Sequence, residues 1–314
     1  TRRPPEAGRI PSPSSARESR GAGTRPRGWG GRWGVAGAFA RGGGERRESA
    51  AMAALARRWL ALALVVSSVC GVCCVGGAGL QALTVTLPRS GRSVYYVTNE
   101  RGAAALHAYD ASQQSPPLVV LLHGSAYSAD TYSGPPLDSL SELNGRGIPA
   151  LTLDLPGKGK GRSGSVMLKK HDRELFLADF FDALGGQAAQ GRLCIVAASM
   201  SGTYAFPFIQ KHAQRVASFV PVAAVGGSEY LRAYGPEAKA VRTIALFGSQ
   251  DRLMKKLRPE YEETFGHLET VVFPDAPHAC YMANPALFNN VVARAVTLDG
   301  AARSETASFV KSVV

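Results

Sequence analysis

Six short apolar runs recur between residues 118 and 273: LVVLL (118–122), PALTLDL (149–155), LCIVA (193–197), SFVPVAAV (218–225), TIALF (243–247) and TVVF (270–273). Runs this short and this continuously apolar suit strands covered on both faces, as in a parallel sheet. Helical patterns separate them. Across residues 172–184, Phe176, Phe180 and Leu184 share one stripe, with Leu177 and Phe181 beside it. After Asn284, a capping residue, Pro285 takes the first helical position and the pairs Leu287/Val291 and Phe288/Val292 stand four apart. Ahead of them all, LTVTL (83–87) and SVYYVT (93–98) are joined by PRSGR and read as an antiparallel hairpin. A hairpin followed by repeated βα units predicts an α/β fold, a mostly parallel sheet flanked by helices.

Composition divides the 314 residues into three expected regions. Residues 1–51 contain no Leu, Lys, Asp, Tyr or Met, and carry 11 Arg and 11 Gly. No core can be built from that, so the stretch reads as disordered and as translated upstream sequence preceding Met52. From Met52, Arg57 and Arg58 head an uncharged apolar run from Trp59 to Leu80, so residues 52–82 read as a signal peptide or a signal anchor. The 22-residue run is also long enough to span a bilayer. Either reading sends residues 83–314 into the secretory pathway, lumenal or extracellular, secreted or anchored as a type II membrane protein through residues 59–80. Whether the leader is cleaved, and the oligomeric state, are open at this point.

The net charge of +12 resides in the leader. From Leu83 onward 23 basic residues face 20 acidic ones, so nucleic-acid binding by the folded part is not indicated. Only Cys194 and Cys280 lie in that part, too few for a disulfide scaffold, and their pairing is not readable. His107, His171, His212 and His267 lack metal-ligand spacing, and no cofactor or metal is expected.

Chemistry in such sheets gathers where strands end. In IVAASMSGTYAFPF, residues 197–201 have the small-x-Ser-x-small form of a nucleophile elbow centred on Ser199, with Ala and Ser in place of the usual glycines. Ser201, flanked by Ser199 and Thr203, also fits, but Ser199 sits where the strand should break. In LVVLLHGSAYS, His123-Gly124 closes a strand and lets the Ser125 N–H turn toward Ser199. With the Met200 N–H it would form an oxyanion hole. IALFGSQD puts Asp251 just past one strand, and VVFPDAPHACY puts His278 just past the next. Asp251 could instead be a helix cap, and His278 a solvated loop residue. The chain order Ser199, Asp251, His278, each after its own strand, is the order of alpha/beta hydrolases: nucleophile, acid that orients the imidazole, and base. GKGKGRSG (157–164) lacks the order of a phosphate-binding loop, so Lys158, Lys160 and Arg162 read as a solvated turn, with a phosphate or CoA contact as the lesser alternative.

These residues resemble the alpha/beta-hydrolase superfamily from about Leu83 to Val296. Within it, SMSGTYAFPF, VPVA (220–223), LDLPG (153–157) and PHACY (277–281) are similar to the alpha/beta-hydrolase domain-containing protein 14 group. The resemblance implies the alpha/beta-hydrolase fold, Ser199 as nucleophile, Asp251 as acid and His278 as base. It also implies small-ester hydrolysis or transfer of an acetyl group from lysine to CoA. Ala197 departs from the Ser that group tends to have, and the 157–164 loop is longer, which weakens any CoA inference. About 17 residues separate the runs ending at Val225 and starting at Thr243, room for only a minimal lid. The expected activity is that of a serine hydrolase acting on a small-molecule or acylated substrate. The alternatives are an acyltransferase with CoA as acceptor and a non-catalytic interaction protein on the same fold.

Overall fold

Alternate residues of the apolar runs go to opposite faces of one sheet, which is why the runs show no polar side. In LVVLL, Leu118, Val120 and Leu122 join one buried cluster, while Val119 and Leu121 join another. The computed structural model describes residues 73–74, 79–107 and 115–297. The expectations for residues 1–51, for the charged start of the leader and for most of the run 59–80 fall outside the described residues. Among the described residues no helix is long and apolar enough to cross a membrane.

The strands are β1 (Cys73–Cys74), β2 (Gln81–Thr86), β3 (Ser93–Thr98), β4 (Leu118–Leu122), β5 (Ala150–Leu153), β6 (Leu193–Ala198), β7 (Val216–Val222), β8 (Arg242–Gly248) and β9 (Leu268–Phe273). They form a nine-stranded sheet in the order β1-β2-β3-β5-β4-β6-β7-β8-β9. Pairing is antiparallel from β1 to β5 across β2 and β3, and parallel from β5 through β9. The hairpin and all six apolar runs are therefore where the sequence puts them, with ends shifted by a few residues. β2 starts at Gln81, two residues before LTVTL, and β7 stops at Val222, three before Val225.

Six helices matter for packing: α1 (Glu100–His107), α2 (Ser139–Gly145), α3 (Lys170–Leu184), α4 (Gly202–His212), α5 (Met254–Thr264) and α6 (Pro285–Thr297). One face of the sheet is covered by Phe176, Leu177, Phe180 and Phe181 of α3, Phe206 and Phe208 of α4, and Tyr261 of α5. The other is covered by Leu140 and Leu143 of α2 and by Phe288, Val291 and Val292 of α6. Each fully buried Phe or Leu contributes about 1.5–3 kcal/mol. At the start of α6 the Asn284 side chain accepts the Leu287 N–H at 3.0 Å, the cap expected from Asn-Pro.

The chain leaves β4 for β5 on one side and returns past it to β6 on the other, so the strand order reverses at β4. A crevice opens outside the strand ends at such a switch point. Register lines up the exits there: Leu122 of β4 lies opposite Leu153 of β5 and Ala197 of β6, and Ala198 lies opposite Val222 of β7. Between β7 and β8 the connection holds only two four-residue helices, Ser228–Leu231 and Pro236–Lys239.

Candidate active site

Strand β6 ends at Ala198, and the next residue turns hard. Ser199 has φ +51°, a left-handed conformation that costs a side-chain-bearing residue about 1–3 kcal/mol. The turn continues as a 3₁₀ segment, Ser199–Ser201, and then α4. Small residues are required around it. A Cβ on Gly202 would lie 2.4 Å from the Val225 carbonyl oxygen, and Val225 N–H donates to the Ser199 carbonyl at 2.9 Å. The elbow is thus tied to the exit of β7. The helix behind it favours negative charge at its N-terminus.

The two candidate serines separate cleanly. Ser201 is fully buried, and its hydroxyl lies 2.9 Å from the Ala198 carbonyl and 3.1 Å from that of Leu122, to which it can donate. Ser199 is part-exposed, and its Oγ lies 2.8 Å from His278 Nε2. His278 Nδ1 in turn lies 2.7 Å from Asp251 Oδ2. The imidazole is partly open to solvent, whereas the Asp251 carboxylate is almost wholly buried. The two oxygens of Asp251 make different contacts: Oδ1 accepts the Leu253 N–H at 2.9 Å just ahead of α5, leaving Oδ2 for the imidazole. Three residues from the ends of β6, β8 and β9 are thereby joined into one hydrogen-bonded chain.

Ser125 stands on the loop after β4 and lines the same hollow as Ser199 and His278. The hollow measures about 140 Å³, and Tyr127, Val222, Ala279 and Tyr281 give it a mostly apolar wall. Tyr127 and Tyr281 meet edge to face, with ring centroids 5.9 Å apart. Met200 follows Ser199 in the 3₁₀ turn, and its side chain packs against the core. No sequence signal singled out Tyr127, Val222 or Tyr281, since aromatic and aliphatic residues near strand ends usually belong to the core.

The loop at 157–164 corrects an expectation. Arg162 is not part of a solvated turn: its Nε and Nη2 grip Asp154 at 2.7 and 3.0 Å, and Nη1 reaches Asp130 at 2.8 Å. Lys160 also pairs with Asp130, at 2.6 Å. The guanidinium stacks on the Tyr95 ring, 3.8 Å from its centroid. Burial opposes these charges, but the pairing outweighs it, holding Asp130 below its usual range and Arg162 above its own. Arg162 is committed to two carboxylates, which removes the basis for a phosphate contact through it, while Lys160 stays exposed as expected and pairs with Asp130 at the surface.

Cys194 and Cys280 are free and buried. Burial pushes their thiols up, to about 11 and about 12. Among the described residues no cluster of His, Cys, Asp and Glu could hold a metal ion.

A model of the alpha/beta hydrolase family matches residues 119–236, which run from β4 across the elbow to the β7–β8 connection. Protein ABHD14A of Danio rerio is 32% identical over 177 residues, 55% of this chain and 62% of that protein. The chain therefore covers less than two thirds of that relative. ABHD14B of Rattus norvegicus, named as a candidate protein-lysine deacylase, is 29% identical over 178 residues, 53% of this chain and 77% of that protein. Among solved structures, a CIB-like hydrolase from Thermoplasma acidophilum superposes with a TM-score of 0.53 at 18% identity, covering 69% of this chain and 98% of that one. The CarC serine hydrolase involved in carbazole degradation gives 0.52 at 15% identity, again over 69% and 98%. At such identities the two structures speak for the fold alone, an alpha/beta-hydrolase fold, and the sequence relatives add a likeness to the ABHD14 group.

Proposed function

We propose that the chain is a serine hydrolase that cleaves an ester, thioester or amide acyl group through an acyl-enzyme on Ser199. The observation that carries this reading is the continuous hydrogen-bonded path from Ser199 Oγ through His278 to Asp251, at 2.8 and 2.7 Å. A serine hydroxyl is a poor nucleophile at neutral pH and needs a base within reach. Asp251 keeps the His278 proton on Nδ1, so the Nε2 lone pair faces Ser199. As Oγ attacks the acyl carbon, Nε2 takes its proton, and the carbonyl oxygen acquires the charge that the Ser125 and Met200 N–H groups receive. Collapse of the tetrahedral intermediate expels the alcohol, thiol or amine, which leaves with the proton from His278. Water then repeats the sequence on the acyl-enzyme and restores Ser199. The apolar hollow beside Ser199 suits the acyl group, and the deacylase name of a relative favours an acylated amine among the substrates. Because Arg162 is already held by two carboxylates, water is preferred over CoA as acceptor.

A fluorophosphonate probe tests the reading on the purified full chain. Wild-type protein should label, Ser199→Ala should not, and His278→Ala should label far more slowly. Folded wild-type protein that fails to label overturns the proposal and leaves an interaction protein on a hydrolase fold. Formation of acyl-CoA from an acyl ester and added CoA would replace hydrolysis by acyl transfer.

A further inference from the structure

His123 lies wholly inside the protein at the exit of β4, near the reacting groups but not among them. Both ring nitrogens are occupied. The Leu155 backbone N–H points at Nε2 from 3.0 Å, and the Gly124 carbonyl oxygen lies 2.8 Å from Nδ1. A backbone N–H can only donate, so Nε2 is the bare nitrogen and the ring proton sits on Nδ1, donated to Gly124. The tautomer follows from the partners.

The Gly124 carbonyl and the Ser125 N–H belong to one planar peptide unit, so whatever fixes the carbonyl fixes the N–H on the opposite side. That N–H is the oxyanion donor named above. A hydrogen bond accepted by the carbonyl also polarises the unit and strengthens its N–H as a donor. The peptide stands beside the nucleophile: a Cβ on Gly124 would be 3.7 Å from Ser199 Cβ. The Gly124 carbonyl also accepts the Tyr127 N–H at 3.1 Å, so the ring is the shorter of two anchors on this peptide, and the ring is itself located by the β5 exit through Leu155. Farther along the same loop, Asp154 Oδ1 accepts the Ala129 N–H at 2.8 Å and holds its other end.

We infer that His123 is a positioning residue of the acyl-transfer site, holding the Gly124–Ser125 peptide so that its N–H meets the developing oxyanion. This rests on the serine-hydrolase reading. Burial, the largest influence, keeps the imidazole neutral by lowering its pKa. The Gly124 bond and the Asp154 charge oppose that, and the Arg162 charge adds to it. Those two charged groups are the ones facing it across the loop.

Two substitutions divide the ring's bonds. In His123→Asn the side-chain amide falls near the Nδ1 position and can still donate to Gly124, but nothing reaches Leu155. In His123→Gln the amide oxygen falls near Nε2 and can still accept from Leu155, but the Gly124 bond is lost. Each loses one buried hydrogen bond, so their thermal stabilities should be similar. Their hydrolysis of p-nitrophenyl acetate should not be. We expect Asn to keep kcat within about threefold of wild type and Gln to lose about 10- to 100-fold in kcat with KM nearly unchanged, the signature of a lost transition-state contact. Equal losses in both variants, or a loss carried by KM, overturn the inference. A wild-type measurement stands even if neither variant folds. With ¹⁵N-labelled histidine, His123 should show a protonated Nδ1 and a bare Nε2, and the Nδ1 signal should move when Ser199 is phosphonylated. The opposite tautomer, or a signal unmoved by phosphonylation, overturns it. Wild-type protein that neither labels nor turns over would instead remove the serine-hydrolase reading.

Discussion

Two polar clusters sit at the same edge of the sheet, one at the exit of β5 and one at the exits of β6, β8 and β9, and they are built on opposite principles. At β5, Asp154 is wholly buried and Arg162 answers it with a two-pronged grip, while Asp130 and Lys160 complete the set. Positive and negative groups meet at short range, and the network closes on itself. At the other exits, one buried carboxylate faces one imidazole, which faces one hydroxyl on a strained, part-exposed turn. That chain ends at a part-exposed hydroxyl. A closed network stabilises geometry; an open-ended one stores reactivity. Strain in the backbone appears at Ser199, where a hydroxyl must be presented, and tolerating it there requires the surrounding elements to over-determine the turn.

The sharpest test of the contrast lies between two serines two residues apart. Ser199→Ala should reduce kcat by about 10⁴ or more, with folding intact. Ser201→Ala removes a hydroxyl bonded only to carbonyls, so it should cost about 1 kcal/mol of stability and leave kcat within about tenfold. Steady-state kinetics and urea denaturation of the two variants check both halves, and comparable kcat losses would erase the distinction. Asp251→Asn comes next, with an expected loss on the order of 10³ to 10⁴ in kcat. The amide oxygen can still accept the Leu253 N–H, leaving the amide NH₂ to face His278 and demand the wrong tautomer. The melting temperature should change little while activity collapses.

How much of this was legible beforehand depends on what kind of signal each part leaves. Fully buried strands declare themselves because both faces must be apolar, and Ser199, Asp251 and His278, which hydrogen bonds join, were legible as a group because each follows such a strand. Asp251 looked equally like a cap because it is one, through its second oxygen. Arg162 misled for a physical reason: a loop rich in Gly and Lys reads as solvated when its partners, Asp130 and Asp154, are 32 and 8 residues away and carry no spacing rule. The helix after Asp251 was visible as the segment that residue would cap, but α1 and α2 were not, since ERGAAALH and SLSELNG are short and only partly apolar. The hollow beside Ser199 was illegible for the same reason as any cavity: it is space left by residues from separate loops.

Opening the closed cluster should hurt the fold more than the chemistry. Arg162→Met leaves Asp154 buried without its counter-ion, and breaking such a pair costs about 3 kcal/mol or more. kcat, measured at a temperature where the variant remains folded, should fall by less than about tenfold. A loss of activity as large as that of Asp251→Asn, at unchanged stability, would show that the β5 exit takes part in chemistry and that the two clusters are one.

The smallest effect concerns the ring that joins the two regions. Burial lowers the pKa of His123 from 6.5, so the unfolded chain binds a proton that the folded one refuses. Stability therefore falls as the pH drops below about 6.5, and levels off once the folded value is passed, with a slope of at most about 1.4 kcal/mol per pH unit. His212 is lowered as well, by burial first and Arg215 second, so the comparison must be a difference between proteins. Asp130, whose pKa is depressed, acts only in more acidic solution: its contribution is complete above its usual value of 3.8 and is lost as pH falls through its folded value. Between about pH 7.5 and about pH 5 the two are separable. Urea denaturation at both ends of that window should show wild type losing more stability than His123→Asn, because the variant has no proton to refuse. Equal losses would mean that the imidazole is not held neutral at the β4 exit, and the bridge between the two clusters would then have to be sought in Asp154 and Ala129 alone.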